Sequence, residues 1–261
     1  MLRSLLTAAS GMKAQQMQVD TIANNISNAN TNGFKKNRLS FQALYYQTYR
    51  NQGAELGSGM VDATGLQVGS GTQVAGSAMV MEQGQLELTG NKFDLAIQGE
   101  GFFAVDQPNG QTYYTRDGSF RRDQNGQLRT ATGGTINPPI TLPSGVMAID
   151  VSETGVVSYR TDAGQNQTVG TIYLTRFPNT MGLQAEGANL LSATASSGAA
   201  TITTPGQNGG GLIQQGALER SNVATVEELV SLIVAQRNYE VNSRAIQVSD
   251  EMLQTVGQLV R

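Results

Sequence analysis

Cysteine, histidine and tryptophan are all absent from the 261 residues. Without cysteine there are no disulfides and no thiol chemistry, which suits a chain that stays unfolded and uncrosslinked until it reaches its destination. Without histidine the commonest general base and the commonest transition-metal ligand are missing, so most familiar catalytic constellations are excluded, and no cofactor or metal site is expected. Charge is also scarce: Asp, Glu, Lys and Arg make up 14% of the chain, against about a quarter in a typical soluble domain. The net charge of −3 comes with no basic cluster, so nucleic acid is not an expected partner. No apolar run approaches the ~20 residues a bilayer helix needs, and membrane insertion is not expected. After Arg3 the chain reaches Gly11, Lys13 and three glutamines without a continuous apolar block, so a cleaved signal peptide is not expected either.

In place of charge stand 43 Asn and Gln residues and 31 Gly. A surface of neutral amides and backbone can be covered by a neighbouring subunit without stranding an unpaired charge. Both ends of the chain carry apolar residues in a heptad rhythm. Leu2, Leu5, Ala9, Met12, Gln16, Val19, Ala23 and Ile26 recur at alternating steps of three and four, as do Val234, Asn238, Val241, Ala245, Val248, Met252, Thr255 and Leu259. Each narrow stripe needs something to bury it, either the other end of the chain or another copy. Two helices alone would give a thin seam containing Gln16, Ala23, Asn238, Ala245 and Thr255, which favours a polymer.

The first helix is expected from Leu2 to Asn28, ending in Asn28-Ala29-Asn30-Thr31-Asn32-Gly33, where Asn and Gly supply left-handed conformations. Thr225 and Glu228 fit a capping box at the start of a last helix that runs without proline to the C-terminus. Between them, Phe93, Leu95 and Ile97 alternate along one strand face, and Asn109-Gly110 and Asn125-Gly126 signal hairpins. The expected class is α+β: long N- and C-terminal helices forming a coiled-coil-like domain, a central antiparallel β domain and an extended arm. The expected boundaries are 1–33 with 222–261 for the helices, 34–76 for the arm, 77–191 for the β domain and 192–221 for a linker rich in Ser, Thr, Ala and Gly.

Asp94, Glu100 and Asp106 invite comparison with a carboxylate pair for glycoside hydrolysis, but they are expected to face solvent on strands and a Gly99-Glu100-Gly101 turn. Asp123-Gln124-Asn125-Gly126 is a fragment of a calcium loop without its remaining ligands, and a hairpin turn explains it better. Neither phosphate-cradling nor nucleophile-elbow motifs occur. No enzyme is expected.

Four blocks of residues resemble one family. The helix end Ala23-Asn24-Asn25-Ile26-Ser27-Asn28-Ala29-Asn30-Thr31-Asn32-Gly33-Phe34-Lys35 looks like the signature of bacterial flagellar rod and hook proteins. Asp94 to Phe103, containing Gly99, Gly101 and Phe102, agrees with it, as does Tyr114 to Phe120, containing Arg116, Asp117 and Gly118. The block from Leu218 to Leu253, through Gln236, Arg237 and Tyr239, agrees as well. Within the family the chain is most similar to distal-rod members, having an arm at Tyr46 to Gly71 after the first helix; proximal-rod or hook-type subunits are the alternative. The resemblance implies a rigid helical homopolymer in the flagellar basal body, spanning the periplasm, with terminal helices on the inner wall and the β domain outside. It also implies export by the flagellar type III apparatus and contacts with the rod cap, proximal-rod and hook proteins and surrounding ring proteins. From the residues alone, a secreted coiled-coil adhesin fits too.

Overall fold

The computed structural model describes residues 2–51, 64–143, 146, 149–160 and 165–259, and the side chains of Leu2 and Leu259 lie outside that set. The chain forms two compact units. One contains Met1–Ser27, Asn37–Ala78 and Ala224–Arg261; the other contains Asn28–Lys36 and Met79–Val223.

In the first unit, α1 (Leu2–Ser27) and α2 (Thr225–Leu259) pack against each other. They run antiparallel: Ser4 Oγ lies 3.4 Å from Ser249 Oγ, and Asn25 Nδ2 donates to Glu228 Oε2 at 3.3 Å. Between these points Gly11 sits so close to Asn242 that an added Cβ would lie 3.0 Å from its Nδ2. From Ser4 to Gly11 to Asn25 the steps are seven and fourteen residues, and from Ser249 to Asn242 to Glu228 they are the same, so one heptad register runs through the pair. Carried through, this register sets Gln18 opposite Ala235, which is buried on α2, while Ala8 and Ile22, four residues beyond Ser4 and Gln18, are buried on α1. The helices therefore do pair within one chain, through a row that mixes small and polar residues with the buried Ile22, and Val234, Val241 and Val248 of the expected row stay exposed.

The helix start is displaced by one residue from the expected capping box. The Glu228 N–H bonds the Ala224 carbonyl at 3.0 Å, so Ala224 closes the first turn, and the Glu228 carboxylate accepts from Asn25. Glu227 and Glu228 still place negative charge in the first turn, where the helix dipole favours it. Among the described residues no helix is long and apolar enough to cross a membrane.

The segment expected to form an arm is more regular than its composition indicates. Strands β1 (Asn37–Ala43), β2 (Tyr46–Arg50), β3 (Leu66–Gly69) and β4 (Thr72–Met79) make one two-stranded ribbon: β1 pairs with β4, β2 pairs antiparallel with β3, and Leu44 N–H to Gly71 O and Ser70 N–H to Tyr45 O continue the ladder between them. The expected helical character of residues 34–50 is not present. Tyr45, Tyr46 and Tyr49 supply β propensity, and their partners lie beyond a Gly-rich stretch that hides the pairing. The ribbon leaves its strands largely exposed and leans on α1, where the Thr72 N–H donates to Ser10 Oγ at 3.2 Å and the Arg3 guanidinium lies over the Tyr49 ring, 5.5 Å from its centroid. A lone ribbon is marginal in water, so this support matters. Gly53 to Gly59, the Gly-rich part of the expected arm, lies outside the described residues.

The second unit is antiparallel β. Strands β5 (Leu86–Leu88), β6 (Leu95–Gln98), β7 (Phe102–Asp106), β8 (Thr112–Thr115), β9 (Arg121–Arg122), β10 (Leu128–Arg129) and β11 (Thr135–Ile136) are followed by β12 (Ile149–Val151), β13 (Val156–Arg160) and β14 (Asn166–Thr171). Then come β15 (Leu174–Arg176), β16 (Gln184–Gly187), β17 (Leu190–Ser192), β18 (Thr201–Thr203), β19 (Leu212–Gln215) and β20 (Ala217–Glu219). The main sheet runs β16-β17-β8-β7-β11-β10-β9, with β15 pairing β7 and β18; β12-β13-β14 form a second sheet. On β7 the alternation of side chains divides the interior. Phe103 and Val105 point one way, with Phe103 joining Leu95, Ile97 and Phe120 in the larger core, while Phe102 points the other way to Phe177, Leu183 and Leu191. Both Asn-Gly turns form as expected, each closed by a bond from the glycine N–H to the carbonyl three residues back, Gln107 or Asp123.

Residues 192–221 are not a linker. They carry β18, β19 and β20, which pair with β15, β6 and β5, and Ile213, opposite Ile97, is 1% exposed. Their partners in the sheet are far back in the sequence, so no local pattern announces them.

Close backbone approach makes Gly118 the most constrained turn in this unit: a Cβ there would stand 1.6 Å from the Leu95 carbonyl oxygen. Gly118→Ala should cost about 1–3 kcal/mol of unfolding free energy as an overpacked site. Gly110→Ala, whose Cβ would meet nothing within 4 Å although φ is +80°, should cost about 1 kcal/mol, the penalty of a left-handed residue. Urea denaturation of the two variants measures the difference.

Candidate functional site

Two features stand out: a buried charge cluster and the outward faces of the helices. The cluster lies in the β unit and is centred on Glu219, whose side chain is fully buried. Lys35 Nζ donates to Glu219 Oε1 at 2.5 Å and to the Glu82 carbonyl at 2.7 Å, the Gly84 N–H reaches Oε1 at 2.9 Å, and Arg116 Nη1 reaches Oε2 at 3.3 Å. The Gly33 N–H donates to the Glu219 carbonyl at 2.8 Å. Gly33 itself has φ +68° and lies so close to Arg116 and Asp117 that a Cβ would be 2.6 Å from the Asp117 nitrogen. Asn222 completes the clamp: its Oδ1 accepts from the Lys36 N–H at 2.8 Å, and its Nδ2 donates to the Val80 carbonyl at 2.8 Å. Burial pushes the Lys35 ammonium and the Arg116 guanidinium below their ordinary pKa ranges, and the Glu219 carboxylate works against that in both. Arg116 also stacks over the Phe102 ring, 5.2 Å from its centroid.

The three acidic candidates do not converge. Asp94 is buried and accepts from Thr89 Oγ1 and Asn91 Nδ2, which corrects the expected solvent-facing position. Glu100 is exposed and pairs with Arg176, and Asp106 accepts from Thr112 and Asn137. Among the described residues no group of three or more acidic side chains is arranged to hold a metal ion. The Asp123 carboxylate accepts from the Gln127 and Asn125 N–H groups and from Arg129 Nε, so the hairpin turn uses the lone pairs a cation would need.

On the helices, the row predicted for subunit contact is turned away from the intramolecular seam. Val234, Val241 and Val248 are 52%, 64% and 53% exposed, Met252 is 45% exposed, and Ala245 is exposed beside them. On α1, Ala9 is exposed and Leu5, Met12, Val19 and Ile26 are half-buried. Ser10, Lys13, Ala14 and Met17, on another side of α1, line a depression with Thr72, Gln73 and Val74 of β4. Gln236, Arg237 and Tyr239 are exposed on α2, and Asn24 is exposed on α1. Gly99 and Gly101 turn the chain between β6 and β7. The Asn32 carbonyl accepts from Asn189, and Asn28 Oδ1 accepts from Thr31 Oγ1 at the end of α1.

Three family models match the chain: "Flagella basal body rod protein" over residues 5–35, "Flagellar hook protein FlgE/F/G D1 domain" over 96–159, and "Flagellar basal body rod FlgEFG protein C-terminal" over 214–259. Similar proteins include the flagellar basal-body rod protein FlgG of Borreliella burgdorferi, 46% identical over 264 residues with both chains covered at 100%, and that of Caulobacter vibrioides, 46% identical over 260 residues with 99% of each chain covered. The flagellar basal-body rod protein FlgG of Bacillus subtilis is 37% identical over 270 residues, again with 100% of both chains covered. The chain belongs to the flagellar basal-body rod protein family.

Each charged member of the cluster falls in a different matched segment: Lys35 in the first, Arg116 in the second, Glu219 in the third. In this rod protein the cluster draws one charged residue from each of the three segments. Lys35, Glu219 and Asn222 were not among the expected site residues. Lys35 closes the first signature block and Glu219 and Asn222 open the last one, but nothing local links residue 219 to residue 35.

Two predictions follow from this geometry. Glu219→Gln leaves two buried cations without a counter-charge and should destabilise the β unit by about 3–5 kcal/mol; Lys35→Met keeps the Arg116–Glu219 pair and should cost less, about 1–3 kcal/mol. Guanidinium unfolding curves compare them. Separately, hydrogen bonds from Gln127 and Asn125, with Arg129, hold Asp123 below its ordinary value of 3.8. Its support of the β9–β10 hairpin is thus present above that value and lost as pH falls through the lower folded value, which amide exchange at Gln127 would follow.

Proposed function

We propose that the protein is the structural subunit of the flagellar distal rod, a helical homopolymer that carries torque from motor to hook and encloses the export channel. It acts as a structural part and not as an enzyme. The observation that carries this reading is the exposed valine row of α2 in a chain matched end to end by flagellar rod proteins. A valine side chain gains about 1.5 kcal/mol on full burial, so a row repeated on every copy drives association while leaving the monomer's own core untouched. The scarcity of charge on the chain fits the same use, because covering it strands few ions. The neighbours this reading assigns are further copies, proximal-rod and hook proteins at the two ends, the rod cap during growth, the surrounding rings outside, and the type III apparatus as the route of export.

Val241→Asp tests the reading. The residue is exposed in the single chain, so the circular dichroism of the variant should match the parent, while sedimentation and negative-stain microscopy should show loss of polymer. Small closed oligomers from the parent protein, in place of tubes, would contradict a rod.

A further inference from the structure

The two apolar rows of the helical unit face opposite sides of the helix pair. With the seam to α2 as reference, Leu5, Met12 and Val19 lie roughly 100° round α1 in the direction of increasing residue number, because each residue adds about 100°. Measured from the seam to α1, Val234, Val241 and Val248 lie roughly 100° round α2 in the reverse sense. The helices are antiparallel, so offsets of opposite sense point to opposite sides of the pair. The ribbon meets α1 on the other side from this row, at Arg3 and Ser10 and along the depression lined by Lys13, Ala14 and Met17. A two-fold dimer matches like with like; it would cover one row and leave the other in water.

We infer that the apolar row of α1 in one copy docks on the apolar row of α2 in the next copy, head to tail. This rests on the rod reading and names the two surfaces of one subunit contact. The rows suit each other in size. On α1 the bulky Leu5, Met12 and Val19 recur every heptad, with hollows at Ala9 and Ala23 and the longer Gln16 between them. On α2 the valines recur at the same interval and are flanked by Asn238 and Ala245, which gives knobs of moderate size for those hollows. Such a contact uses both rows of every copy and leaves a free row at each end, the head-to-tail arrangement from which open helical polymers are built.

The absence of cysteine makes the contact directly testable in the full chain. Gln16→Cys and Ala245→Cys each place one thiol at an exposed position in the middle of a row. After polymerisation and treatment with a short bis-maleimide, the mixture of the two variants should give covalent dimers on a denaturing gel, each variant alone should give none, and the double variant should give a ladder. Dimers from either single variant alone would show like-with-like pairing and overturn the inference. So would polymer in which Ala245→Cys cross-links to none of Ala9→Cys, Gln16→Cys and Ala23→Cys, and in that case the rod reading stands. If the unmodified protein forms no polymer under any condition or seed, the rod reading itself fails, and the inference fails with it.

Discussion

The contact between α1 and α2 meets at Ser4, Gly11 and Asn25 against Ser249, Asn242 and Glu228, and most of what the protein can do depends on that register. Had the helices joined through their apolar rows, the single chain would be satisfied and inert. Because the contacts at those three points involve small and polar groups, they let the helices come close, and the register leaves the valines of α2 in water. The monomer is thus complete enough to have a shape and incomplete enough to need neighbours.

The β unit solves a different problem. Residues 28–36 leave one helix and must be anchored before the chain turns back as the ribbon, and the anchor is electrostatic. A buried carboxylate with two cations and one backbone donor around it is costly to assemble, and often no more stable than an apolar replacement. Its value lies in specificity: only one placement of Lys35, Arg116 and Gly33 satisfies Glu219, since Gly33 is pressed directly against the backbone of residues 116 and 117. A misplaced segment would leave a charge unpaired in the interior.

Features carried by nearby residues were legible in the sequence. The first helix ends one residue from its expected limit, both Asn-Gly hairpins form, and Phe93, Leu95 and Ile97 do share the core face. What escaped depends on partners distant in the chain. The strands within 192–221 are built of Thr, Gly and Gln and become strands because β5, β6 and β15 offer them edges. The ribbon's two halves are separated by a Gly-rich stretch. The α1–α2 seam was hidden for another reason: a row such as Ser4, Gly11, Gln18 and Asn25 reads as a solvent face on hydropathy, although close approach of two backbones favours small and amide side chains. Part of the charge cluster was visible as motif and none of it as geometry, because no rule of spacing brings residue 35 to residue 219.

One detail of the helix pair limits how it can move. Asn25 holds Glu228 with its amide nitrogen and also exchanges two hydrogen bonds with the backbone of Asn37, at 2.9 Å each. Heptad interfaces can slide by one repeat at small cost, since every seventh residue meets a similar surface. Here a slide in one direction would carry Asn25 past the start of α2, and in the other it would set a buried amide against Ala235. Asn25 therefore works as a stop on a ruled scale, and a shaft built from such pairs can bear twisting load without its staves creeping along one another.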